Sequence, residues 1–260
     1  MSTLKGFLIA TLCIAGQSTL ADSPSWKPDL PKAKTAFERE TRVALREGHH
    51  IEPTIFPGFY AVRSGQPGSP SAYFREDMAW LGNVRSQGWS IRSPLESNSE
   101  GKRNWLKEQI KYLPFENLIF IQRRKPAVAV IWSAPDCPFC RKLERAFEQE
   151  DVSAFVAPVG LTEEGYRRAA NIYCSSNAAK SWQAMMRENA PSEPASPGCS
   201  YPHEMMNDIG FFFGMGRMAT PIVVFADGST MSGWDDHQAL ALLREKIKQQ
   251  LFFPNPNTRR

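Results

Sequence analysis

The run Ala127-Val128-Ala129-Val130-Ile131-Trp132, followed five residues later by Cys137-Pro138-Phe139-Cys140, constrains this chain more than any other feature. Six consecutive apolar residues leave no solvent-facing alternation, so they read as a strand buried on both faces of a parallel or mixed sheet. An amphipathic helix follows over 138–148. Cys137 then falls at the cap of that helix and Cys140 in its first turn. Orphan backbone N–H groups and the helix dipole point at the first sulfur, which stabilises its thiolate and lowers its pKa below the ~8.5 of a free cysteine. Pro138 suits the first helical position because its missing N–H is not needed there. The pattern points to Cys137 as nucleophile and Cys140 as resolving thiol. Zinc would use the same motif but needs a second pair at ligand spacing, which Cys174 and Cys199 do not provide. A static disulfide across a two-residue loop at a helix start is short and strained.

After this motif the chain reads as a strand at 153–159, a long helical region at 162–214, a strand at 221–225, an Asp227-Gly228 turn, a short strand at 230–233 and a last helix at 236–251. A β-α-β start, then a hairpin and a closing helix, gives the thioredoxin arrangement. Thr220-Pro221 opens the strand at 221–225, where a proline that cannot donate a ladder hydrogen bond marks an edge or entry position. Upstream, 32–47 reads as an amphipathic helix with Gly48 as its stop. Short aromatic and β-branched segments at 51–56, 59–62, 73–74, 78–81 and 89–91 read as an antiparallel meander broken by glycine and proline turns. A connecting helix over 101–113 carries Leu106, Ile110 and Leu113 on one stripe, and the domain boundary falls near 114–120.

The chain opens with one lysine and an apolar run over 6–16, closed by Thr19-Leu20-Ala21. That is a cleavable signal peptide by length and pattern, too short for a bilayer span of about 20 residues. The mature chain is therefore expected where disulfides persist. Of five cysteines, Cys13 leaves with the signal and four remain, which allow three pairings. Lys+Arg 31 against Asp+Glu 27 leaves a net charge of +4, scattered rather than gathered in a stripe, so nucleic acid is not an expected partner. His49-His50 lack a partner at metal-ligand spacing and read as loop residues after a helix stop. Phe211-Phe212-Phe213, with Met215 and Met218, suit either a peptide-binding face near the cysteines or a helix packed into the core.

Four features together resemble the periplasmic thiol:disulfide interchange proteins of the DsbC/DsbG type. They are Cys137-Pro138-Phe139-Cys140 after an apolar strand, Thr220-Pro221 before Val223-Val224, Gly228 and Gly233 in the last hairpin, and the spacing of Cys174 and Cys199. Gly216 matches a further family glycine. The resemblance implies an α/β catalytic domain, α+β over the whole chain: a thioredoxin fold with a helical insertion, preceded by a small cystatin-like α+β dimerisation domain and a linker helix. The implied partition is a signal peptide at 1–21, a dimerisation domain at 22–98, a linker helix at 99–117, a catalytic domain at 118–253 and a flexible tail at 254–260. It also implies a structural disulfide between Cys174 and Cys199, whose closed loop is worth roughly 3.5 kcal/mol in chain entropy. Thr220, Pro221, Pro138 and Phe139 become the substrate-binding positions. The Pro-Phe dipeptide is nearer the Pro-Tyr of DsbG, whereas the second cysteine pair points back to DsbC. The implied activity is disulfide isomerisation or reduction on misoxidised periplasmic client proteins, by a homodimer kept reduced by a membrane electron donor of the DsbD type, with no cofactor and no metal. A net thiol oxidase is the competing enzyme, and a periplasmic chaperone or secretion accessory the competing binding module.

Overall fold

The computed structural model describes residues 26–64, 71–83, 89–92, 99–190, 195–214 and 219–253. The expected signal peptide, the tail, Met215, Gly216 and Met218 lie outside the described residues. Helix α1 (Leu30–Thr41) starts on Asp29, whose carboxylate accepts the Lys32 N–H at 3.0 Å, with a proline in its first turn. It buries Ala33, Ala36 and Phe37 and ends where Arg42 turns left-handed at φ 56°. The expected helix ran on to residue 47. It stops early because Ala44, counted on the apolar stripe, is exposed, and a helix this short persists only while it buries a face.

Five strands follow as an antiparallel meander in chain order: β1 (His49–Pro53), β2 (Phe59–Ser64), β3 (Ala72–Arg75), β4 (Leu81–Asn83) and β5 (Trp89–Arg92). The expected strand at 78–81 begins only at Leu81, because Met78 has φ 56° and its N–H closes a turn on the Arg75 carbonyl. Tyr60 and Val62 pack with Phe37 and Phe74 under α1, while Phe59 and Ala61 point into a second core. The meander is therefore covered on both faces. Helix α2 (Ser99–Gln109), extended by a 3-10 turn at Ile110–Tyr112, adds Leu106, Ile110 and Leu113 to that second core.

The remaining elements are β6 (Ile119–Ile121), β7 (Lys125–Ser133), α3 (Pro138–Gln149), β8 (Val152–Pro158), α4 (Glu163–Tyr173), α5 (Ala178–Glu188), α6 (His203–Phe213), β9 (Ile222–Phe225), β10 (Thr230–Ser232) and α7 (Gln238–Lys248). They build a sheet in the order β10-β9-β7-β8-β6, with β7 parallel to β8 across α3 and antiparallel to β9. This is the thioredoxin fold, and the fold class read from the sequence holds. The apolar run is the central strand, buried from Ala127 to Ser133. Edge strand β6 escapes a sequence reading because three residues carry no periodicity. The single helical region expected at 162–214 is three helices. Thr162 and Asn177 cap the starts of α4 and α5, and Asn189 ends α5 in a left-handed conformation at φ 54°.

Helix α6 joins the two lobes. Phe211 stacks on Tyr73 at 3.8 Å between centroids, and Phe212 lies 4.1 Å from Phe56 and 4.7 Å from Phe59. All three phenylalanines are buried, which selects the core reading of that triplet and removes it from any client-facing surface. Gly210 lets α6 approach β7: a Cβ there would come within 2.2 Å of the Trp132 indole. At the rim of the same contact, Asp208 accepts from Arg63 Nη2 at 2.8 Å and from the Tyr73 hydroxyl at 2.7 Å. Burial pushes the Asp208 carboxyl up to about 6 in spite of the Arg63 guanidinium beside it.

Candidate functional site

Strand β7 ends at Ser133 between β8 and β9, and the chain turns through residues 134–136 into α3. Cys137 is the N-cap residue, with φ −103° and ψ 119°, and proline follows in the first turn. The helix is pinned on its inner face by buried Leu143, Ala146 and Phe147, while its buried Glu144 pairs with Arg123. Both sulfurs are thereby held by the sheet rather than by a mobile loop. Cys140, one turn further on and 1% exposed, accepts the Ala134 N–H at 3.4 Å. Cys137 is 2% exposed, and both cysteines are free thiols.

Across from α3, the Thr220-Pro221 peptide is cis and leads into β9. The Cys137 thiol donates to the Thr220 carbonyl at 3.6 Å, while the Thr220 hydroxyl is buried beside it without a partner of its own. A carbonyl can only accept, so it serves the thiol, and the hydroxyl is the Thr220 group able to serve a thiolate. Cys137 is brought down to about 6, first by the hydrogen bond from Cys140. Burial opposes this, and hydrogen bonds from Thr220 and from the backbone N–H groups of Cys140 and Phe139 add to it. Cys140 is pushed strongly the other way, first by burial and then by donating its own proton to Cys137. Cys137 is thus the sulfur that ionises more readily and Cys140 the one that keeps its proton.

The pH dependence follows in sign. A thiolate absorbance should appear in the reduced protein with a midpoint near 6 and be absent from Cys137→Ser. Because the folded-state value lies below that of an unfolded cysteine, the thiolate stabilises the reduced fold fully above the ordinary cysteine range. That contribution is lost as pH falls through about 6. A midpoint above 8 in an ultraviolet titration would contradict the arrangement.

Of the positions singled out in the sequence, Cys137, Pro138, Cys140, Thr220 and Pro221 converge here. Phe139, half exposed at 50%, stands on the rim. Cys174, which ends α4, is bonded to Cys199 in the segment before α6, with an S–S distance of 2.03 Å. Two further residues escape a sequence reading. Asp136 accepts the Leu161 and Thr162 N–H groups and the Thr162 hydroxyl, which brings the β8–α4 loop against the cysteine turn. Leu161, whose N–H is held by Asp136, is 51% exposed and is a second large apolar side chain left open to solvent. The one sequence signal for this contact is a carboxylate set directly before the motif with no cation on its own turn. Among the described residues no cluster of three or more His, Cys, Asp or Glu could hold a metal, and no helix is long and apolar enough to cross a membrane.

No protein-family model and no curated protein sequence matches the chain. Several solved structures are similar to it. One is a disulfide interchange protein from Neisseria gonorrhoeae, 29% identical over 54% of this chain and 100% of that one, with a TM-score of 0.46. Another is a linker-deletion variant of ScsC from Proteus mirabilis, 15% identical over 58% of this chain and 84% of that one, with a TM-score of 0.44. The thiol-disulfide exchange protein alpha-DsbA2 from Wolbachia pipientis is 16% identical over 59% of this chain and 100% of that one, with a TM-score of 0.38. Two of these three are thus named for disulfide interchange or thiol-disulfide exchange.

Proposed function

We propose that this protein catalyses thiol-disulfide exchange on polypeptide clients, as a disulfide isomerase or reductase. The observation that carries the reading is the split between the two sulfurs: Cys137 brought down to about 6 at the cap of α3, and Cys140 enclosed behind it and held protonated. The Cys137 thiolate attacks one sulfur of a client disulfide, forming a mixed disulfide and expelling the other client sulfur as a thiolate. In isomerisation a client thiolate then attacks the bonded client sulfur and regenerates the Cys137 thiolate, with no net redox change. In reduction Cys140 loses its proton to solvent and attacks Cys137, which leaves an oxidised pair and a reduced client. An external dithiol must then restore the pair. The half-exposed side chains of Phe139 and Leu161 suit clients whose apolar segments are not yet buried.

By the resemblance given above, we further propose a periplasmic homodimer re-reduced by a DsbD-type donor, with Cys174–Cys199 as a lasting structural link. The low value at Cys137 also favours a second reading, a net oxidase, because a stabilised thiolate stabilises the reduced enzyme and makes its disulfide a stronger oxidant. One assay separates these readings: recovery of activity by a scrambled multi-disulfide test enzyme in a glutathione buffer, against recovery by the same enzyme presented fully reduced. Isomerisation predicts rescue of the scrambled form by the wild type and none by Cys137→Ser. Rescue of the reduced form alone would assign an oxidase, and rescue of neither, with glutathione disulfide still reduced, a reductase of narrow client range.

A further inference from the structure

We infer that Asp136 is a positioning residue for the nucleophile, its carboxylate serving as the strut that fixes the turn before Cys137 against the loop between β8 and α4. The inference rests on the thiol-disulfide reading and deepens it. Both carboxylate oxygens accept the Leu161 N–H, at 3.1 and 3.2 Å. One of them also takes the Thr162 N–H at 3.0 Å and the Thr162 hydroxyl at 2.8 Å. Thr162 is itself the cap of α4, its oxygen accepting the Gly165 N–H at 2.9 Å. The carboxylate is therefore tied to the rigid end of a helix.

Two neighbouring contacts of this turn do not tie it to that loop. The Pro135 carbonyl is held by Arg141 at 3.0 Å and the Ala134 N–H by Cys140, and both partners ride on α3 itself. Without Asp136, the turn before Cys137 could move while α3 stays pinned to the sheet through Leu143, Ala146 and Phe147. The floor of the contact is equally specific: a Cβ added at Gly165 would lie 2.1 Å from a carboxylate oxygen, so Asp136 fills the space a side chain there would take.

A negative charge next to a sulfur that must ionise is unfavourable by itself, and this fixes the sign of the test. If Asp136 acted through its charge alone, removing it would ease ionisation of Cys137. If it acts as a strut, removing it lets the sulfur drift from Cys140, Thr220 and the helix N–H groups, and ionisation becomes harder.

The experiment is an ultraviolet thiolate titration of the reduced protein, with the rate of reaction with glutathione disulfide followed over the same pH range. The variants are Asp136→Ala, Asp136→Asn and Gly165→Ala. The strut predicts that Asp136→Ala raises the midpoint by about one pH unit, which below the midpoint is about a tenfold loss of thiolate. Asp136→Asn keeps a carbonyl oxygen for the Thr162 donors and should recover most of the loss. Gly165→Ala leaves Asp136 in place but displaces its carboxylate, so it should move the midpoint up as well. Alanine is the better helix former, so this variant should fold. Midpoints that fall in both Asp136 variants, or a Gly165→Ala midpoint equal to wild type, would overturn the inference. A wild type that ionises near 6 yet reacts with no disulfide would instead sink the exchange reading, and the titration would still decide the strut.

Discussion

Replacing Cys137 by serine should cut disulfide exchange by about a thousandfold or more at neutral pH. A serine hydroxyl stays protonated there, so the attacking anion is gone. Cys140 cannot stand in for it, being pushed far above the ordinary cysteine range by burial. Its thiolate at neutral pH is therefore well under about one molecule in a hundred. Cys140→Ser should behave in the opposite way. Attack remains, release by Cys140 is lost, and the protein should accumulate as a mixed disulfide with its client. Mass spectrometry of acid-quenched mixtures measures both outcomes. A Cys137 variant that keeps a few per cent of the wild-type rate, or a Cys140 variant that still reduces its client without trapping it, would reverse the assigned roles.

The second large effect concerns stability. Phe212→Ala should destabilise the fold by about 3–5 kcal/mol, the range for removing a fully buried phenylalanine without collapse of the cavity. Phe212 is the aromatic hub between lobes, with Phe56 at 4.1 Å, Phe59 at 4.7 Å, Tyr73 at 5.9 Å and Trp80 at 6.0 Å between centroids. Those partners sit in or beside the meander, while Phe212 belongs to the insertion of the thioredoxin lobe. The loss should therefore appear in both lobes at once. Urea unfolding followed by tryptophan fluorescence and by far-ultraviolet circular dichroism tests this. A loss under about 1 kcal/mol, or one lobe unfolding while the other keeps its wild-type midpoint, would show that α6 does not weld the lobes together.

Much of this architecture is set by local rules that a sequence exposes. An unbroken apolar run can only be an interior strand, so the position of β7 between β8 and β9 was legible in residues 127–132. A proline directly after a cysteine at the end of such a strand opens a helix, so the cap position of Cys137 was legible too. Helix ends were read less well. Arg42 leaves α1 because no burial awaited the next turn, and burial is a property of the neighbours rather than of the helix.

The order of elements, the thioredoxin class of the second lobe and the placing of two cysteines one helical turn apart could all be read from residue order. Their surroundings came only with the folded chain: Cys137 meets Thr220 across the sheet, 83 residues away, and Asp136 meets the β8–α4 loop, 25 residues away. It also decided that Phe211, Phe212 and Phe213 are a weld between lobes and not a client surface. The physical reason is range. Propensity, capping and periodicity act within a few residues and are written in the local sequence, whereas desolvation and hydrogen bonding between distant segments depend on which surfaces the fold brings together.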